Sequence, residues 1–242
     1  MYKIFVMIEF LSKFDFQSHL LLEGLDDKEI AQVGYFVENL HIKKGSMLFY
    51  EDGIPTGIFQ LKKGRAKKSK RGFNGEDQIF YIYTPKDVLG YHALLGEERY
   101  QDSCEALEDL EVNFISKSNF LQLLGDIPRL KDALIKNISH EFGVLANIIA
   151  VLAQKDQHTR LAIFLSVLQE RFERFEPNIG GVDLSREDLA NCIGTSRESL
   201  SRSIKFFKDQ GLIAVDKRTI RIMDKQRLFH YLGLDLAIDK AS

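Results

Sequence analysis

The stretch LSREDLANCIGTSRESLSRSIKFFKDQG, residues 184–211, most restricts what this chain can fold into. Ser185 with Asp188 three residues on reads as a capping box, the hydroxyl taking an orphan amide of a first helical turn. Gly194 interrupts the pattern, and Leu200, Ile204 and Phe207 then recur at helical spacing. Gly211 stands where a left-handed residue ends a helix. The next residues, LIAVDKRTIRIMD, alternate like a small hairpin. Helix, glycine turn, helix and hairpin together describe a winged helix-turn-helix. Leu200, Ile204 and Phe207 then pack inward against Leu189 and Ile193. Arg197, Ser201 and Arg202 are left on the outer face of the second helix.

Charge gives that face a purpose. The chain has 33 basic and 35 acidic residues, a formal net charge of −2, so global charge says nothing about nucleic acid. Residues 185–221 carry eight basic residues against five acidic ones, a local excess of three. An arginine forks onto guanine O6 and N7, giving roughly 1–3 kcal/mol of discrimination. Hydroxyls at a helix start, here Thr195 and Ser196, and a lysine on the wing, Lys217, suit phosphates. A competing reading makes Thr195 and Glu198 a capping box and bonds Ser201 back to its own helix.

The 242 residues leave room for two domains, and 45% are hydrophobic, enough for a sizeable core. Residues 17–40 read as helix. From His41 to about Phe114 short alternating runs are separated by turns, with NGED at 74–77 a strong hairpin signal. That texture predicts an antiparallel roll or barrel. Ser118 is a plausible cap for the helix that follows. Beyond Pro128 a long helix, 129–154, carries Ile135, Ile138, Phe142, Leu145, Ile149 and Leu152 at gaps of 3, 4, 3, 4 and 3. A seam that regular favours a two-stranded coiled coil, hence a homodimer; the alternative lays the helix on its own domain. Asp156 caps the next helix, and PNIGG, 177–181, is a loop.

Other classes are excluded by what the chain contains. Two cysteines, Cys104 and Cys192, cannot build a disulfide framework, and a reducing compartment follows. The N-terminal IFVMIEFL is too short to span a bilayer and has no cleavage site after it. The expectation is a soluble cytoplasmic protein without a membrane partner, starting at Met1 or at Met7. Six scattered histidines with no H-x-H pair, and no nucleophile or nucleotide motif, argue against an enzyme.

The segment LSREDLANCIGTSRESLSRSIKFFKDQGLIAV resembles the DNA-binding helix-turn-helix of the Crp/Fnr transcription regulators, and the similarity spans roughly residues 20–235. The resemblance implies an α+β chain. Residues 1–128 would form a cyclic-nucleotide-binding-like β-roll sensor with flanking helices, 129–155 a dimerisation helix and hinge, and 156–242 the winged helix-turn-helix. It implies that Glu198 and Arg202 read bases, that Ser201 and Arg197 assist, and that the dimer meets a palindrome built on a core near TGTGA or TTGA. RNA polymerase is the implied protein partner.

The family's nucleotide cassette, Gly-Glu-Leu-Ala and then Arg-Ser, is degenerate here. In LGYHALLGEERYQDSCEAL, residues 89–107, Tyr91 stands for the Glu that grips the ribose, and Tyr100 and Gln101 for Arg and Ser; Arg99 serves only if the loop shifts by one. Leu145 and Ala146 fall where cyclic-AMP binders have hydroxyls. A buried phosphate without a cation is costly, which argues against cyclic AMP. In KKGRAKKSKR, residues 62–71, alternation that puts Ala66 inside also points Lys68 inside, where it could receive another small anionic effector; otherwise the run is a solvated strand. The cysteine cluster of the oxygen-sensing members is absent, which excludes an iron–sulfur centre. His92 lies near the haem-ligand position of the carbon-monoxide sensors, but a single His without a second axial ligand is a weak basis for haem.

Overall fold

The computed structural model describes residues 2–72, 75–175, 177 and 180–233. Helix α1 (Tyr2–Ser12) and a 3-10 turn, Ser18–Leu20, precede α2 (Asp27–Tyr35). Strands β1 (Glu38–Ile42), β2 (Met47–Phe49), β3 (Gly57–Lys63), β4 (Ala66–Arg71), β5 (Asp77–Tyr83) and β6 (Val88–Leu89) lead to the short α3 (Tyr91–Leu95). Then come β7 (Ser103–Ala106), β8 (Leu110–Ser116), α4 (Lys117–Asp126) and the long α5 (Pro128–Gln154). The chain continues with α6 (Gln157–Phe175), β9 (Val182–Asp183), α7 (Arg186–Ile193), α8 (Arg197–Asp209), β10 (Ile213–Asp216), β11 (Thr219–Ile222) and α9 (Lys225–Tyr231).

Two compact units result, residues 16–143 and residues 144–242 together with 1–15. The first fifteen residues thus group with the C-terminal unit, although their position in the sequence suggests the roll. Asp15, at the end of that segment, is buried with Arg171 of α6 in an ion pair.

In the first unit, β1-β8-β3-β6 and β2-β7-β4-β5 form two four-stranded antiparallel sheets, the roll expected from the alternating runs. The expected helix over 17–40 is shorter. Asp26 accepts from Glu29 N–H while Glu29 reaches back to Asp26 N–H, so a capping box opens α2 only at Asp27. From Glu38 the backbone pairs instead with β8. Ser116, not Ser118, caps α4. Of the NGED turn, Asn74 lies outside the described residues and Gly75 adopts φ +82°; in the PNIGG loop Asn178 and Ile179 lie outside them too. The lysine-rich run spans the end of β3, a turn at Gly64 and β4, and its charges find partners: Lys63 pairs with Glu111, Lys67 with Glu105, Lys70 with Glu51 and Arg71 with Asp77.

Helix α5 carries two heptad stripes, one residue out of phase. Leu134, Asn137, Glu141, Val144, Ile148 and Val151 are buried within the chain. The seam read from the sequence lies on the next face: Ile135, Phe142 and Ile149 are 55%, 77% and 65% exposed, with Ile138, Leu145 and Leu152 half-buried between them. By length and composition α5 would also cross a membrane; the doubled stripe, one half of it buried within the chain, accounts for its apolar content without one.

Asp87, in the turn before β6, is fully buried and accepts from Thr84 N–H at 2.8 Å, Thr84 Oγ1 at 3.1 Å and Ser18 Oγ at 3.0 Å. Burial pushes its carboxyl from 3.8 up to about 7, outweighing those hydrogen bonds, and the nearby Glu141 charge adds to the rise. A carboxyl raised in the folded state stabilises the fold fully below its unfolded pKa, and that stability is lost as pH rises through about 7. Asp87→Asn should remove this slope. Urea melts at pH 5 and pH 8 are expected to show about 2–3 kcal/mol less fall in stability in the variant than in the wild type.

Candidate nucleic-acid interface and effector cavity

Leu189, Ile193, Leu200, Ile204 and Phe207 are all buried where α7 meets α8. Gly194 makes the turn between them in the left-handed region, φ 60° and ψ 56°, a conformation that costs glycine little. Ser185 caps α7, accepting Asp188 N–H at 2.9 Å. Ser196 caps α8, accepting Ser199 N–H at 3.2 Å. The Thr195–Glu198 capping box does not form. Thr195 Oγ1 donates instead to Gln157 Oε1 at 3.2 Å, while Gln157 Nε2 donates to Ser203 Oγ at 2.6 Å and to the Ser199 carbonyl. Gln157 therefore ties the start of α6 to both the turn and α8. A lone glutamine 38 residues from its partner carries no pattern, so no sequence signal marks it.

With the inner face fixed, Arg197, Glu198, Ser201 and Arg202 are exposed together on the first turns of α8. Ser201 Oγ donates to the Arg197 carbonyl at 2.8 Å, the back-bond that the competing reading expects. Arg202 Nη2 donates to Ser199 Oγ at 2.7 Å, which rests the guanidinium along the helix. Hydrogen bonds from its own backbone amide and from Ser196, with Arg197 and Arg202 nearby, hold the Glu198 carboxyl below its ordinary value. It stays an acceptor, suited to a cytosine amino group. Strands β10, β11 and β9 form the wing, and Lys217 occupies the exposed tip of its hairpin with φ 52°. Gly211, φ 69°, follows the end of α8 as expected.

The roll contains a cavity of about 120 Å³ walled by Phe49, Lys68, Gly90, His92, Ala93, Glu98, Tyr100, Gln101 and Asp102. Four of the six residues expected at an effector pocket therefore converge: Lys68, His92, Tyr100 and Gln101. Lys68 is 8% exposed, the inward orientation that alternation with Ala66 implies. Arg99 does not join them; it is exposed and donates to the Asp52 carbonyl at 2.6 Å. Tyr91 turns the other way, fully buried, its hydroxyl donating to Glu141 Oε1 at 2.5 Å. Asp102 and Glu98 are the residues sequence reasoning missed. Asp102 lies 2.6 Å from Lys68 Nζ. One lysine faces two carboxylates, so the wall opposes an anion.

The cavity fits neither cofactor that the family suggests. At about 120 Å³ it falls below the roughly 300–1,000 Å³ of pockets for nucleotide-sized ligands. Among the described residues no arginine lines the cavity to meet a cyclic phosphate. His92 Nε2 is engaged by Glu141 Oε2 at 2.5 Å, so that nitrogen is not free for haem iron. Cys104 and Cys192 lie in separate units, both buried, and burial pushes the Cys104 thiol up. They make neither a cluster site nor a reactive thiol. Among the described residues no three His, Cys, Asp or Glu side chains gather as a metal site.

Comparison with known proteins gives the same two parts. A cyclic nucleotide-binding domain family matches residues 39–126, and a Crp-like helix-turn-helix domain family matches residues 159–231. Electron transport regulator A of Shewanella oneidensis is 28% identical over 207 residues, 84% of this chain and 82% of that protein. The fumarate and nitrate reduction regulatory protein of Vibrio cholerae is 26% identical over 213 residues, covering 87% and 85% of the two chains. Among solved structures, FixK2 from Bradyrhizobium japonicum shares the fold with a TM-score of 0.71 and 23% identity, over 81% of this chain and 96% of that one.

Proposed function

We propose that this chain, with its cyclic nucleotide-binding domain and Crp-like helix-turn-helix domain, is a transcription regulator of the Crp/Fnr type that acts as a homodimer on a palindromic DNA site. It is a DNA-binding regulator and not an enzyme. The observation that carries the dimer is the exposed stripe Ile135–Phe142–Ile149 at heptad spacing on α5, continued by Ile138, Leu145 and Leu152. Two such stripes bury one another in a parallel coiled coil, and two copies of α8 then meet two major grooves. Arg202 and Glu198 read base edges, Arg197 and Ser201 assist, and Ser196 and Lys217 hold phosphates, while Thr195, expected beside them, gives its hydroxyl to Gln157. The protein works in the cytoplasm, where it meets DNA and RNA polymerase.

The signal is not cyclic AMP, since the cavity is small and its wall carries an excess of carboxylates. The same carboxylates disfavour the anionic effector that Lys68 alone suggests. The relatives' names concern electron transport and the reduction of fumarate and nitrate. The two cysteines, Cys104 and Cys192, are both buried, which disfavours sensing through them. Selection of bound duplexes from random oligonucleotides tests the central reading. It should return an inverted repeat with half-sites about one helical turn apart; an unpaired motif, or no enrichment at low salt, would refute it.

A further inference from the structure

The first turn of α6 reaches the helix-turn-helix through Gln157, His158 and Arg160, each at a different place. Arg160 Nη1 donates to the Gly194 carbonyl in the turn at 3.3 Å. The His158 ring meets Phe206, in the C-terminal half of α8, edge-on with centroids 4.5 Å apart. Gln157, the first residue of α6, takes the N-terminal half, where the base-facing side chains stand. Its amide is used at every position. One N–H goes to Ser203 Oγ at 2.6 Å, the other to the Ser199 carbonyl, and its own carbonyl accepts from Thr195 Oγ1 at 3.2 Å. A backbone carbonyl only accepts, so the Ser199 contact fixes which end of the amide is nitrogen.

Ser199 and Ser203 stand one turn apart on α8. Two anchors on one stripe, held by one amide, fix the roll of the helix about its axis as well as its advance along it. Ser203 is fully buried, so that anchor lies out of water. Ser199 is also the residue on which the base-reading side chain rests: its Oγ accepts from Arg202 Nη2 at 2.7 Å, and its N–H donates to the cap, Ser196 Oγ, at 3.2 Å. Gln157 therefore holds the main chain of the residue whose hydroxyl holds the guanidinium. A bidentate contact to a base edge is directional and weakens steeply off-line. Electrostatic attraction to the phosphate backbone is sequence-independent and needs no such alignment.

We infer that Gln157 is a positioning residue for base readout: through Ser199 and Ser203 it sets the placement of Arg202 against the base edges. This rests on the DNA-binding reading above. Gln157 contributes selectivity through α8, and general affinity for duplex DNA comes from elsewhere on the domain.

The test is competition anisotropy with the full-length protein on its selected palindrome, on single-base variants of that palindrome and on an unrelated duplex, with urea melts alongside. The base at which Arg202→Ala loses discrimination identifies the contact. Gln157→Met keeps the length of the side chain and removes the amide. Its discrimination at that base should fall at least about tenfold, while affinity for the unrelated duplex stays within about twofold of the wild type. In an Arg202→Ala background the same substitution should cost no further discrimination there. Gln157→Met also leaves the buried Ser203 hydroxyl without its donor, so the urea midpoint should fall; adding Ser203→Ala removes the orphaned hydroxyl and should restore it. Selectivity should stay lost in that double variant, because the Ser199 carbonyl is still unheld. Selectivity that returns together with stability overturns the proposal and leaves Gln157 a purely structural residue. Further loss at the same base in the Arg202→Ala background overturns it too. Arg202→Ala separates the two readings. If it binds every duplex like the wild type, the assignment of base readout to Arg202 fails. If it loses discrimination and Gln157→Met does not, only the positioning role fails.

Discussion

Phe142→Glu should turn the protein into a monomer. Phe142 is 77% exposed in the isolated chain and sits mid-way along the outer stripe, with Ile135 and Ile149 one heptad to either side. In a parallel pair of α5 helices it would face its own counterpart. The substitution removes an aromatic contact and sets two carboxylates opposite each other in an apolar seam, where an unpaired charge is costly. Sedimentation equilibrium should show the dimer dissociation constant raised at least about a thousandfold, on the order of 4 kcal/mol. Affinity for the palindrome should fall at least about a hundredfold, because the second half-site is no longer bound intramolecularly. The side chain is solvent-facing in the chain itself, so the monomer should melt as a folded protein, and Phe142→Leu should remain dimeric. A Phe142→Glu protein that still sediments as a dimer would place the interface elsewhere.

Arg202→Ala should abolish base preference more than it weakens binding. The guanidinium rests on Ser199 Oγ at 2.7 Å and touches nothing in the core, so the fold should be unaffected. A bidentate arginine contact is worth roughly 1–3 kcal/mol of discrimination, and a dimer makes it twice, so about 2–6 kcal/mol of preference for the palindrome over a duplex altered at the contacted base should disappear. Lys217→Ala provides the contrast: a phosphate contact on the wing should weaken all duplexes alike and lower the salt dependence by about one counterion per half-site. Competition anisotropy on matched and mismatched duplexes reads both. Unchanged selectivity in Arg202→Ala would remove that residue from the interface.

What the sequence reveals, and what it hides, follows from the range of the interactions. The helix-turn-helix is legible because its caps, its glycine turn and its apolar spacing are local. The outer stripe of α5 is legible because a period needs no partner to be seen. Inward orientation of Lys68 follows from strand alternation alone. Tyr91 is different. Its position in the cassette places it in a ligand pocket, yet its hydroxyl turns to Glu141, fifty residues away, because a buried carboxylate there needs donors. Asp102 and Gln157 are hidden for the same reason: each acts through distant partners, Lys68 for the one and Thr195, Ser199 and Ser203 for the other, and nothing in its immediate neighbours marks it. The two readings of α5, seam or core helix, compete in the sequence because both stripes have the same spacing; the structure accommodates both.

That doubling restricts how the long helix can change in length. Its inward and outward rows share every turn, so adding one residue would turn the carboxylate meant for the roll onto the outer face, and deleting one would drive the bare phenyl ring into the interior. Only whole heptads preserve both phases at once, and tolerated length variation between the roll and the DNA-binding part should come in steps of seven.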